Sequence, residues 1–321
     1  MERPPYQITT FILNKIAEIQ ELLGEIKTFS IKKPSIKLRK ENKIKTIHHS
    51  LAIEGNSLTE EQITALLENK RILGPKKQIL EVENAIRTYD KLATLDPSNE
   101  RDFLKAHKIL MDGLVEKPGV YRHSAVGIFK GSQVTRMAPS EKIVPRLMSN
   151  LFNFIKEDKE THELLKACLF HYELEFIHPF LDGNGRMGRL WQQRILMKLS
   201  PSFEYLPVET LIHKNQKKYY KALETSDKNG DSTVFLEFSL EMILLSLKEF
   251  MNKISFNKLK AVDRIDYALE HFGENKFSRK EYRQLYMGLS TASASRDLAL
   301  AVSEKKLKIF GTKALAVYKR I

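Results

Sequence analysis

Apolar residues recur at helical spacing over residues 8–26, separated by polar and charged positions, and predict an amphipathic helix. Lys32-Lys33-Pro34-Ser35 reads as a break. The helical pattern resumes over 43–49, and a short turn follows at Glu54-Gly55-Asn56. Ser57 or Thr59 can cap the next helix, and Gln62 stands three residues after Thr59 as a capping box requires. Further helices are expected over 79–95, stopped by Asp96-Pro97-Ser98, and over 101–111, before Lys117-Pro118-Gly119. Between 121 and 139 the texture changes: Val126, Ile128 and Val134, with Gly127, Gly131 and a closing Ala138-Pro139, predict a short β-hairpin or flap. Helical spacing returns over 144–176, stops at His178-Pro179 and restarts after Gly185.

A smaller unit follows from about residue 256. It comprises a helix over 259–271, a second opening at Ser278-Arg279-Lys280-Glu281, an alanine-rich third after Ser290, and short strands over 307–311 and 314–318. Helices closed by a two-stranded wing are the pattern of a winged helix-turn-helix. Residues 256–321 hold 14 lysines and arginines against 7 acidic residues. That excess points to DNA contact through the helix over 291–302, although Ser293, Ser295 and Arg296 are few base-reading side chains and such units also mediate protein contacts. The expected division is residues 1–100, a helical region; 101–250, a core; and 256–321, the winged unit.

Composition narrows the class. With 321 residues, 42% of them hydrophobic, the chain can fill two or three cores. The longest apolar stretch, 235–247, is interrupted by Glu237 and Glu241, which argues against a membrane span. Met1-Glu2-Arg3-Pro4-Pro5 carries no export pattern, so a cytoplasmic location is expected. A single cysteine, Cys168, permits neither an internal disulfide nor a cysteine-zinc cluster, and its apolar neighbours make it a buried hydrophobe. The net charge of +13 favours polyanions, nucleotide phosphates included.

The chemistry concentrates in one loop. Gly183-Asn184-Gly185 lets the backbone turn tightly just before a helix and offers N–H groups to an anion at that helix's positive end. Arg186 and Arg189 are three residues apart and share a face of its first turn. His178 can accept a proton from a hydroxyl near neutral pH, and Asp182 supplies a hard oxygen for Mg2+. Read singly, each is bland: a turn, a helix-end histidine, a solvated basic face. The alternating ligands of a calcium loop are missing. Together they are the parts of phosphoryl or nucleotidyl transfer.

The run His178-Pro179-Phe180-Leu181-Asp182-Gly183-Asn184-Gly185-Arg186-Met187-Gly188-Arg189 resembles the Fic-domain signature in full. The resemblance implies a mainly α protein, a helical Fic/Doc-type core with a β-hairpin flap, that moves AMP from ATP onto a Ser, Thr or Tyr hydroxyl of a target protein. By that likeness His178 is the base and Asp182 holds Mg2+. The stretch from Gly183 through Asn184 and Gly185 to Arg186, Met187, Gly188 and Arg189 binds the nucleotide, and Phe180 is a packing anchor. Tyr121-Arg122 followed by Val126, Gly127 and Ile128 is similar to the family's flap, which can bind a target strand by β-augmentation. Tyr219 and Tyr220 are similar to the segment that lines adenine, but the family's following Asn-x-Gly-Asp reads Asp227-Lys228-Asn229-Gly230-Asp231 here.

Ser50-Leu51-Ala52-Ile53-Glu54-Gly55-Asn56 resembles the inhibitory motif of Fic proteins that carry the inhibitory helix before the core. Ser50 and Glu54 are then regulatory. Glu54 would pair bidentately with Arg189, misplace the γ-phosphate of ATP and hold basal transfer low. Taken alone, the same residues are an ordinary helix C-terminus ending in glycine. Three alternatives stay open: removal of AMP with water activated by Glu54, transfer of another phosphate-containing group, and a DNA-binding regulator with a nucleotide-sensing core. A Gly-x-Arg ending at Arg189 favours the AMP-donating pose, and a homodimer is a further expectation.

Overall fold

The structure, a computed structural model, describes residues 3–29, 36–130, 133–258, 261–286, 289–311 and 316–321. The expected break at 32–35, the flap's Gly131, and Leu259 and Ala314 lie outside them. The chain divides into two compact units, Met1–Leu247 and Lys248–Ile321.

The first unit is helical apart from one hairpin. Its elements are α1 (Thr10–Phe29), α2 (Ile36–Ile53), α3 (Glu60–Leu67), α4 (Lys76–Lys91), α5 (Glu100–Leu110), β1 (Gly127–Lys130), β2 (Gln133–Met137) and α6 (Val144–Glu157). There follow α7 (Glu163–Ile177), α8 (Asn184–Leu199), α9 (Val208–Lys214), α10 (Gln216–Asn229) and α11 (Thr233–Lys258), within which the division falls. No helix among the described residues is long and apolar enough to cross a membrane.

Local chemistry sets several boundaries. Thr59 caps α3 in a complete capping box with Gln62. The stretch expected to be continuously helical over 144–176 is two helices. Asp158 ends α6, its carboxylate accepting the N–H groups of Glu160 at 3.0 Å and Thr161 at 2.7 Å, and His162 caps α7 through Leu164 N–H at 3.1 Å. Helix α2 closes with Asn56 N–H on the Leu51 carbonyl at 3.1 Å and Gly55 N–H on Ala52 at 3.0 Å. The Asn56 amide then reaches the Gln78 carbonyl and Glu81, tying that end to the start of α4.

Helices α7 and α8 form the centre. Most of α7 is buried around its whole circumference, as expected of a helix surrounded by others. Beneath the loop between them sits an aromatic cluster. Phe103 of α5 meets Trp191 edge-on at 5.1 Å, Phe152 at 5.4 Å and Phe170 at 5.8 Å, and lies 5.5 Å from Phe180. The Trp191 indole donates to the Pro97 carbonyl at 3.0 Å, which satisfies its one polar atom.

The second unit contains α12 (Ala261–Phe272), β3 (Phe277–Ser278), α13 (Arg279–Leu285), α14 (Thr291–Ser303), β4 (Leu307–Phe310) and β5 (Val317–Arg320). Its sheet has order β3-β5-β4, antiparallel throughout, so the expected two-stranded wing gains a short third strand at Phe277–Ser278. Ser278 both pairs with Val317 and caps α13 in a capping box with Glu281. The core holds Tyr282, Tyr286, Leu298 and Leu307, crossed by an ion pair in which Arg264 donates twice to Asp297, at 2.7 and 2.8 Å.

Phe103→Ala removes the ring that joins four others. It is expected to cost about 3–5 kcal/mol, read by urea unfolding followed through the fluorescence of Trp191, the chain's single tryptophan. A loss under about 1 kcal/mol would show that the cluster does not hold this unit together.

Candidate functional site

The motif loop joins α7 to α8, and its shape is held from within. His178 ends α7 in the left-handed region at φ 52°, an uncommon place for a residue with a side chain, and its N–H still donates to Leu174 at 2.8 Å. The Asn184 amide then closes the loop on itself: Phe180 N–H donates to Oδ1, and Nδ2 donates to the Phe180 carbonyl, both at 2.9 Å. Asn184 is buried, so its side chain is committed to the loop. Gly183 takes φ 88°, and a Cβ there would stand 2.8 Å from the Met111 sulfur.

Two residues that the motif does not contain hold it from outside. Arg122, buried, donates to the carbonyls of His178 at 2.8 Å, Ser124 at 2.9 Å and Pro139, while its own N–H donates to Pro179 at 2.8 Å. One guanidinium therefore fastens both roots of the flap to the backbone of the expected base. His107 of α5 accepts from Gly119 N–H through Nδ1 at 2.8 Å, which leaves Nε2 to donate to the Asp182 carbonyl at 3.1 Å. Phe180 stacks on that imidazole at 3.6 Å. Burial lowers the His107 pKa to about 4, so the ring stays neutral and can serve both neighbours.

Asp182 is 48% exposed at the side chain. Its Oδ1 accepts from Gly183 N–H at 2.6 Å and from Arg186 at 2.8 Å, which fixes the carboxylate at the mouth of the loop. Arg186 also lies 3.7 Å from Glu81. Beside Asp182 and Leu181 opens a cleft of about 220 Å³ walled by His107, Tyr121, Arg122 and Ser124.

The start of α8 is where α2 intervenes. The Arg189 guanidinium is buried and donates to Ser50 Oγ at 3.2 Å, the Ser50 carbonyl at 2.9 Å and Glu54 Oε1 at 2.7 Å. The Glu54 contact is through Nη2 and Oε1 alone, whereas a bidentate pair was expected: the same Nη2 also serves the Ser50 carbonyl, and Nε is on the Ser50 hydroxyl. A Cβ on Gly185 would stand 2.5 Å from that same Glu54 oxygen and 3.3 Å from Glu175, so the carboxylate rests on the first turn of α8. A helix N-terminus with unsatisfied N–H groups attracts anions, and here the anion is Glu54.

The remaining expected residues separate by helix face. Met187 is buried in the core, and a Cβ on Gly188 would stand 2.6 Å from the His171 ring; both are packing positions of α8. Tyr219 is also interior, its hydroxyl 3.0 Å from His171 Nε2 and 3.3 Å from Glu175. Tyr220 is 42% exposed and reaches the Ile53 carbonyl at 3.5 Å, next to the end of α2. In the flap, β1 and β2 pair from Gly127 with Met137 through Ile128 with Arg136, with a bulge following, and the Val126 carbonyl accepts from Ala138 N–H at 3.1 Å. A two-stranded hairpin leaves outer backbone edges able to pair with another strand.

A glycine-turned helix start, a conformationally constrained histidine and a hairpin flap rooted beside it make up the site of a helical protein. The Fic/DOC family model matches residues 97–196. The protein adenylyltransferase Fic of Nematostella vectensis is 32% identical over 242 residues, 72% of this chain and 54% of that protein. Its counterpart from Culex quinquefasciatus is 30% identical over 80% of this chain and 52% of that protein. A crystal structure of a Fic family protein from Desulfovibrio desulfuricans G20 superposes with TM-score 0.76 and 39% identity, covering 100% of this chain and 98% of that one. The chain belongs to the Fic/DOC family, and it spans about half the length of the curated relatives it matches.

The neutral His107 generates a pH dependence. In the unfolded chain the imidazole takes a proton near pH 6.5, but in the fold only near pH 4, so the unfolded state binds more protons between them. Stability therefore falls as pH drops through that window, by at most about 1.4 kcal/mol per pH unit from this group. His107→Gln, which cannot titrate, should flatten the slope of denaturation midpoint against pH. An unchanged slope would remove His107 from the account.

Proposed function

We propose that the chain transfers AMP from ATP to a hydroxyl of a target protein, and that Glu54 restrains the reaction. The observation that carries this reading is the Glu54 carboxylate seated on Arg189 and on the first turn of α8. That position suits the terminal phosphates of a nucleotide, and an internal carboxylate there competes with them. The relatives named protein adenylyltransferase support the chemistry.

In this reading the N–H groups opening α8 and the guanidinium groups of Arg186 and Arg189 bind the polyphosphate. His178 takes the proton of the acceptor hydroxyl as that oxygen attacks the α-phosphorus; a new P–O bond forms, the α–β bridge breaks, and pyrophosphate leaves. Arg122 positions His178 through its carbonyl and keeps the flap registered to it. The flap edge over Val126, Gly127 and Ile128 pairs with the target's backbone. Tyr220, exposed beside Ile53, is the tyrosine placed to cover adenine. Asp182 suits Mg2+, since it is a hard oxygen donor already oriented by Gly183 and Arg186 and exposed enough for the ion to keep water and phosphate ligands. When bound, the ion neutralises phosphate charge.

The test compares ATP labelled at the α-phosphate with ATP labelled at the γ-phosphate, in Mg2+, for wild type, Glu54→Gly, and Glu54→Gly combined with His178→Ala. Label is expected from the α position alone, stronger in Glu54→Gly than in wild type, and at least about a hundredfold weaker without His178. Label arriving from the γ position, or transfer indifferent to His178, would overturn the assignment.

A further inference from the structure

Helix α2 carries a second cluster of chemistry just before Ser50. His48 and His49 end up beside Glu60, the first residue of α3, because the chain reverses between α2 and the Thr59 cap. One ligand atom from each of the three lies within 4.8 Å of the others. The His48 and His49 rings are 4.7 Å apart, and the ring of His213 on α9 lies 5.2 Å from His49.

Each residue is prepared differently. His49 Nδ1 lies 2.8 Å from the Lys45 carbonyl, an oxygen that can only accept. The proton is therefore on Nδ1, and Nε2 keeps its lone pair. A backbone carbonyl holding the far ring nitrogen is the usual support of a metal-bound histidine, and the Thr210 hydroxyl adds a contact at 3.2 Å. His48 Nδ1 is buried and makes no hydrogen bond among the described residues, although Glu60 Oε1 is only 3.7 Å away. A proton does not bridge that gap well, but a metal ion does.

We propose that His48, His49 and Glu60 form a Zn2+ site that ties α2 to α3. Two imidazoles and a carboxylate are a donor set suited to zinc, with a fourth position left for water or for His213. Zinc bonds of about 2.1 Å place ligands about 3.4 Å apart, so the cluster closes by roughly 1 Å on binding. Two ligands come from α2 and one from α3, so occupancy braces the helix end that carries Ser50 and Glu54. On the reading of Glu54 given above, the same brace steadies the restraint on transfer.

The experiment titrates Zn2+ into the intact protein against a chromophoric competitor, with Mg2+ as the control ion and melting temperature as a second readout. Wild type and His271→Ala, a substitution in the second unit, are expected to bind one equivalent and to melt higher with Zn2+ but not with Mg2+. His48→Ala, His49→Ala and the conservative Glu60→Gln are expected to bind at least about tenfold more weakly and to lose the melting shift. Circular dichroism checks that each variant is folded. No stoichiometric binding by wild type, or equal affinity in all three variants, overturns the site. Neither readout involves nucleotide, so a failure of the Glu54 reading leaves this test intact.

Discussion

A guanidinium cannot be buried without acceptors, and Arg189 places that demand at the centre of the first unit. The side chain is 1% exposed, and removing one partner of a buried charge costs about 3–5 kcal/mol. Its acceptors come from α2, namely the Ser50 hydroxyl, the Ser50 carbonyl and Glu54. The need to satisfy one cation thus positions a helix about 140 residues away in sequence. Under the proposed function, the same cation is the one a nucleotide phosphate would seek, so two anions of different origin would compete for one donor.

The loop is organised on a second principle, that each polar group in a tight turn is met locally. Asn184 satisfies both backbone groups of Phe180, Asp182 receives Gly183 and Arg186, and His107 receives Gly119 while donating to Asp182. With these internal needs met, the loop holds its shape through its own side chains and backbone. Arg122 extends the arrangement to the flap, so both roots of the flap and the His178 backbone share one anchor.

Much of this was legible in the chain. The twelve-residue motif, the capping box at Thr59, the hairpin and the helices of the first unit follow from glycine placement, capping chemistry and apolar period. What was not legible depends on contacts distant in sequence. Arg122, His107 and Glu175 look like ordinary surface-type residues, and only the fold sets them against the loop. The burial of Met187, Gly188 and Tyr219 was not legible either, because a motif read as a line does not show which way a helix turns each residue. The break after α6 was missed because its signal is a side-chain-to-backbone bond from Asp158 within an otherwise helical pattern. In the second unit, the Ser290 hydroxyl caps α14 by accepting Ser293 N–H, Arg296 donates to the Ser293 hydroxyl, and Ser295 bonds to Thr291 and accepts from Arg279. The charge of that unit is real, but the side chains that would read bases are engaged locally.

The strength of the Glu54 contact bears on what kind of control it can exert. A hydrogen bond to a charged group contributes about 1.5–3 kcal/mol net, and Glu54, 34% exposed at the side chain, belongs toward the lower end because water screens it. At about 1.4 kcal/mol per tenfold, the contact alone shifts the balance by roughly one order of magnitude. Ser50 adds two acceptors to the same guanidinium, and Asn56 pins the end of α2 to α4, so displacing Glu54 need not displace the helix. Under the proposed function, the restraint would therefore be a swing of one side chain against a fixed frame, which a nucleotide carrying several negative charges could oppose and which a stiffer or looser end of α2 would strengthen or weaken.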